Sequence, residues 1–231
     1  MPEIIKAMGI MAYPLIISSI IAIAVIASLF ITLTKKKVIP EGIADTAKKL
    51  AMSGKVTHTH IQQIHDGSLL GRVLASGLSS IGQPRHVMKE NIEESGRHAI
   101  HSMDKYMTTL GTIAAIAPLL GLLGTVIGMI DVFSVITAQG VGSPTELAGG
   151  ISKALVTTAF GITIAVPALI FHRFFRGRIN DYAVEMEKEA IKLLSIASAP
   201  QRRATDAVTS TAGKQRKLTA AQAQIRKGKV A

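Results

Sequence analysis

The sequence predicts an all-α polytopic membrane protein with three transmembrane helices, the second and third prolonged into the cytoplasm as long helices. Three observations carry this. Pro14–Leu33 and Tyr106–Ile130 are uncharged runs, each long enough, at about 1.5 Å per residue, to cross a bilayer core of about 30 Å. A third apolar run, Ile151–Phe171, carries Lys153 as its one charge. Of 26 Lys and Arg, 11 fall between Lys35 and Lys105 and 13 between Arg173 and Lys229, the asymmetry expected when cationic loops stay on the cytoplasmic side.

Composition excludes other classes. Aromatic residues make up only 4% of the chain, Trp is absent and mean hydropathy is positive, which argues against soluble domains. A net charge of +11 would suggest nucleic acid if the cations clustered with aromatics on a soluble face, but they sit at span boundaries, so no nucleic-acid partner is expected. Without cysteine there is neither a disulfide framework nor a thiol catalyst. No phosphate-binding Gly-Lys motif, metal-ligand spacing or nucleophile–base pair is present, so no enzyme, cofactor or metal is expected.

Residues 1–13 are read as an extracytoplasmic N-terminal segment. Residues 14–34 form the first span, too long for a signal-peptide core; Lys35-Lys36-Lys37 at its end, against Lys6 at its front, puts the N-terminus outside. Residues 35–105 are a cytoplasmic helical region. Within it Glu41–Met52 and Ser68–Ser80 have helical periodicity, the latter with Leu69, Leu70, Val73, Leu74 and Leu78 on one face. His58, His60 and His65 raise the question of a metal, but no cysteine completes a set, and His65-Asp66-Gly67 reads as a turn.

From Pro84, suited to a first helical turn, one helix is expected to run to about Thr137, with residues 106–137 as the second span. Ile92, Ile100 and Met103 on its charged part are expected to form a surface for other subunits. Residues 138–150, with four Gly, one Pro and no Lys or Arg, form a periplasmic turn. Residues 151–172 are the third span, 173–199 a cytoplasmic helix stopped by Pro200, and 200–231 a basic, largely disordered tail, with eight Lys or Arg against one Asp from Gln201 onward.

The second span carries Gly121, Gly124, Thr125 and Gly128 at i, i+3, i+4 and i+7, a stripe where another helix can approach closely. The third answers with Ala154, Thr158, Gly161 and Ala165, and with Pro167, which frees a carbonyl. Gly121, Gly124, Gly128, Ala154, Gly161 and Pro167 are thus candidate packing residues. Thr125 and Thr158 lie at matched depth on either side of Gly142, and with Thr157 they are candidate pore- or partner-facing hydroxyls, able to bond water or a partner's carboxylate in a low dielectric. By the same count Asp131 and Lys153 reach one level near the outer end, where pairing would offset the cost of two membrane charges.

Pro118-Leu-Leu-Gly-Leu-Leu-Gly-Thr125-Val-Ile-Gly128, followed by Gly150-Ile-Ser-Lys-Ala-Leu-Val-Thr157-Thr158-Ala-Phe-Gly161 and Ala165-Val-Pro167-Ala168, resembles the MotA/TolQ/ExbB proton-channel family, most of all its ExbB branch. The similarity in layout covers roughly Pro14 to Ala199. It implies a homo-oligomeric, pentameric bundle in the bacterial inner membrane, around a dimer of a single-span ExbD-like or TolR-like partner. Proton flow past that partner's aspartate would then be coupled to outer-membrane transport through a TonB-like protein. It further implies that Thr125 and Thr158 face the central pore, with Gly121, Gly124, Gly128 and Ala154 toward the lumen or subunit contacts. Lys153 departs from the pattern, since better-known ExbB and TolQ proteins have a glutamate there, and that residue's role does not transfer. A TolQ-like envelope role and a passive scaffold remain the alternatives; a MotA-like stator fits less well, because those proteins have a fourth span.

Overall fold

In hydrocarbon a backbone must satisfy its own amides, and a run of aliphatic residues does so as a helix. Ala12–Thr32 (α1) is such a helix, entered through one 3-10 turn at Gly9–Met11. The computed structural model describes residues 8–53, 56–140 and 144–198. Most of the expected N-terminal segment, the apex of the expected turn and the basic tail lie outside the described residues.

After α1 come Lys35–Val38 (α2), Ile43–Ser53 (α3), His58–Gly67 (α4), Leu69–Ser79 (α5), Arg85–Asp104 (α6), Met107–Gln139 (α7) and Pro144–Ala197 (α8). Among the described residues the secondary structure is all helical. Three stretches, Gly9–Thr32, Arg85–Ala138 and Pro144–Ala197, are long and apolar enough to cross a membrane.

Three expectations are corrected. The helix expected from Pro84 to Thr137 is interrupted at Lys105 and Tyr106. There the Asp104 carboxylate turns to Arg176 and the Lys105 ammonium lies 5.4 Å from the Tyr106 ring centroid. His65-Asp66-Gly67 is not a turn but the last turn of α4. The chain reverses through the extended Ser68, whose hydroxyl accepts the Gly71 amide at 2.9 Å, an N-cap worth about 1 kcal/mol. The expected turn over residues 138–150 is much shorter, because Pro144 starts α8, a position where its missing N–H costs nothing. At the other side Gly140 ends α7 at φ 73, donating its amide to the Ile136 carbonyl, a cap conformation that favours glycine.

The chain divides into two compact units. In the first, residues 8–38 with 98–184, α1 lays Ala12, Leu15, Ala22, Val25 and Leu29 against α7. Ile10, Ile17, Ile20, Ile23 and Ile31 stay exposed, a side suited to lipid. In the second, residues 39–97 with 185–198, Leu70, Val73, Leu74 and Leu78 of α5 are buried. A side chain at Gly71 would collide with the Ile64 carbonyl, and one at Gly77 would come 3.0 Å from Ile92 and Leu193. Ile92 is therefore spent on this unit's core rather than offered to other subunits; Met103, in the first unit, is also buried, and only Ile100 is exposed.

Candidate functional site

Two antiparallel helices joined by a short turn are each other's nearest neighbours, so their small-residue faces meet first. A side chain on Gly128 would lie 2.9 Å from the Ala154 Cβ, one on Gly121 would lie 3.0 Å from the Thr158 Cα, and one on Gly161 would lie 2.6 Å from the Ala117 carbonyl. Gly124 is filled by Thr157 and Gly150 by Val132. Each turn down α7 is matched by a turn up α8, and close approach replaces side chains as the source of contact. Gly121, Gly124, Gly128 and Ala154, expected at the lumen or subunit contacts, are thus buried inside one chain's own hairpin. Pro167, expected to pack, is exposed; α8 runs through it, and Ala165 and Ala168 beside it are the buried residues.

The threonines divide. Thr158 donates its hydroxyl across the hairpin to the Gly121 carbonyl at 3.0 Å, the carbonyl that takes the Thr125 amide in the α-helical ladder of α7. Thr125 donates its own hydroxyl to the Leu122 carbonyl at 2.6 Å. The two residues therefore converge on one turn of α7, half-buried, with hydroxyl lone pairs left to accept. Thr157 departs from them: it is fully buried, donates to the Lys153 carbonyl at 2.7 Å and fills the space opposite Gly124. It faces the partner helix, because adjacent residues on a helix point about 100° apart.

Toward the α7–α8 connection the Lys153 ammonium lies 2.7 Å from the Asp131 carboxylate, within one chain. Its stem passes over Gly9, where a Cβ would come 2.9 Å from Cε and 3.1 Å from Nζ, and Gly9 itself has φ 59. The entry to the first span is thus shaped around the ion pair, which periodicity in the sequence does not reveal.

The opposite end is fastened by polar and aromatic contacts that sequence patterning also missed. Arg176 donates to Asp104 at 3.3 Å. Tyr182, buried, donates to the Leu33 carbonyl at 3.0 Å and accepts from Arg178 at 2.7 Å. Phe30 meets Phe175 edge to face with centroids 4.9 Å apart, a contact that adds about 1 kcal/mol beyond area burial. The Arg178–Tyr182 spacing of i, i+4 is the one hint the sequence held. These contacts bring Lys35, Lys105 and Arg176, which flank the three apolar stretches, to one end of the unit, while the Asp131–Lys153 pair lies at the other.

Among the described residues no three His, Cys, Asp or Glu are grouped to hold a metal ion. The arrangement is a tightly packed apolar hairpin with two threonine hydroxyls at one level and one ion pair beyond them. It is suited to bonding water or a polar group brought up to the two hydroxyls.

Comparison with known proteins agrees with this layout. The chain is 27% identical over 134 residues to biopolymer transport protein ExbB of Aquifex aeolicus, covering 55% of this chain and 90% of that protein. It is 30% identical over 173 residues to biopolymer transport protein exbB1 of Vibrio cholerae, covering 71% and 74%. Over a shorter stretch of 67 residues, 28% of this chain and 26% of the relative, it is 51% identical to the putative biopolymer transport protein ExbB-like 1 of Synechocystis. The family model described as the MotA/TolQ/ExbB proton channel family matches residues 65–188, the segment that includes the whole α7–α8 hairpin up to Lys188, and the chain belongs to that family.

Proposed function

We propose that the protein is an ExbB-like proton-channel subunit of the bacterial inner membrane. Assembled as a homopentamer around a dimer of a single-span ExbD-like partner, it couples the proton motive force to TonB-dependent transport across the outer membrane. It is a membrane protein of a non-catalytic channel family. The observation that carries the proposal is that the Thr158 and Thr125 hydroxyls meet adjacent carbonyls of one turn of α7, those of Gly121 and Leu122, within the segment shared with that family. Hydroxyls at that depth can pass a hydrogen bond to water or to a carboxylate on the partner's helix. The cationic ends gathered at one side of the first unit support a cytoplasmic face there and a periplasmic N-terminus.

One observation favours a passive oligomeric scaffold instead: the Thr158–Gly121 bond is also what plain helix packing would use. Replacing Thr125 and Thr158 by Val, singly and together, removes the hydroxyls at nearly constant volume. Reconstituted with its partner, the double variant should lose at least about tenfold in proton flux while the oligomer stays intact on native mass spectrometry. Undiminished flux would select the scaffold. A TolQ-like role would use the same hairpin with other partners, and copurification of a TolA-like rather than a TonB-like protein would select it.

A further inference from the structure

The second unit contains a cleft of about 440 Å³ between α4, α5 and α6. Helical spacing builds it: His58, Gln62 and His65 lie along one face of α4, Arg72 stands on the facing side of α5, and Ser95 comes from α6. Ile61 and Ala75 add apolar surface between them. No Asp or Glu lines the cleft. Among the described residues Arg72 has no ion-pair partner, and His65 uses Nδ1 toward Asp66 at 2.9 Å, which leaves its other ring nitrogen available. The hydroxyls of Ser76 and Ser79, also in the wall, donate to the carbonyls of Asn91 and Ser76, so the Arg72 guanidinium, the imidazoles, the Gln62 amide and Ser95 remain to meet a ligand.

A guanidinium fork facing two imidazoles across a cleft, with no Asp or Glu in the wall, is complementary to a tetrahedral oxyanion. The volume lies within the range of small-molecule sites and exceeds what one inorganic phosphate fills, which leaves room for an organic body along Ile61 and Ala75. We propose that this cleft binds a phosphate-bearing anion, held between Arg72 of α5 and His58 and His65 of α4. His58, Ile61 and Gln62 precede the segment matched by the family model, residues 65–188. The site does not depend on proton conduction by the hairpin.

The test uses the full-length protein, labelled with ¹⁵N in its histidines, in phosphatidylcholine nanodiscs. Sodium phosphate and glycerol 3-phosphate are titrated at constant ionic strength against chloride. The signals of His58 and His65 should shift saturably while those of His86 and His172 do not. Arg72→Gln, at an exposed position outside the core, should weaken binding at least tenfold, and Arg72→Lys, which keeps the charge without the fork, should fall between. A second set of discs contains phosphatidic acid. Shifts with the soluble anions assign a soluble phosphate ester, and shifts seen only with phosphatidic acid assign a lipid headgroup; either supports the site. Absence of a saturable shift in both arms, an equal response to chloride, or a response unchanged in Arg72→Gln overturns it.

Discussion

Lys153 illustrates how one side chain is held from three directions. Its ammonium meets Asp131 at 2.7 Å, its stem lies on Gly9, and its backbone carbonyl accepts the Thr157 hydroxyl. A lone charge at this depth is costly, and pairing offsets the cost. Asp131→Asn and Lys153→Met should each lower the thermal stability of the protein, and the double variant should recover about 0.5–2 kcal/mol of the summed loss. Strict additivity in that cycle would show that the charges do not couple in the membrane. Gly124 is constrained differently, because Thr157 already occupies the position of its missing side chain. Gly124→Leu should destabilise the hairpin by about 1–3 kcal/mol or more through overpacking, and Thr157→Ala in the same chain should restore part of it. An unchanged unfolding midpoint for Gly124→Leu would contradict the close approach of α7 and α8.

Among the elements, α8 is the common partner. In the first unit it takes the end of α1 through the Tyr182 hydroxyl and the Phe30–Phe175 contact. Tyr182→Phe removes both the bond to the Leu33 carbonyl and the acceptor for Arg178 and should cost about 1–3 kcal/mol. Faster hydrogen exchange confined to the last turn of α1 should report it, and exchange left unaltered there would remove the tether from the account. In the second unit α8 binds α3: the Lys48 ammonium lies 2.6 Å from Glu189, which also accepts from Lys192. The hydrogen bonds from Lys192 and then Lys48 hold the Glu189 carboxyl below its ordinary value of 4.5, and the bond to Glu189 raises Lys48 above 10.5. A carboxylate whose pKa is depressed on folding contributes stability that is present above its unfolded value and lost as pH falls through the folded one. A lysine whose pKa is raised contributes stability that is complete below its unfolded value and lost as pH rises through the folded one. The α3–α8 tether should therefore hold fully between about pH 5 and 10 and weaken below and above. Relative to the intrinsic exchange rate at each pH, the amides of α3 should be less protected at pH 4 than at pH 7 in the wild type, and Glu189→Gln should abolish most of that difference.

At the scale of the whole molecule, Tyr106–Ile130 and Ala154–Phe171 contain no Asp or Glu, so these two stretches offer hydroxyls but no carboxylate to give up and regain a proton. The chain reconstituted without a partner should conduct protons at the background of empty liposomes. Flux from this chain alone equal to that of a complex with its partner would place the ionisable group elsewhere and remove the need for a partner carboxylate.

The spans, the all-helical class and the family were legible in the sequence, because hydropathy, span length and charge asymmetry are sums over many residues and survive any detail of packing. The level at which Asp131 meets Lys153, and Thr158 the turn of α7 that carries Thr125, was legible for a related reason: in an antiparallel hairpin, depth follows from counting away from the turn. Which side of each helix a residue serves was not. Periodicity puts Gly121, Gly124, Gly128 and Ala154 on close-approach faces, but it is silent on whether another helix of the same chain or another subunit covers them, and the short α7–α8 connection lets the chain's own hairpin cover them first. Thr157 and Thr158 are neighbours of one residue type, yet a 100° step turns one into the contact with Gly124 and leaves the other at the Gly121 carbonyl. Gly9 over Lys153, Tyr182 under Leu33 and the α4 wall of the cleft join residues far apart in the chain or rest on one capping serine, and only the tertiary structure decides contacts of that kind, since their energy comes from partners that no local pattern encodes.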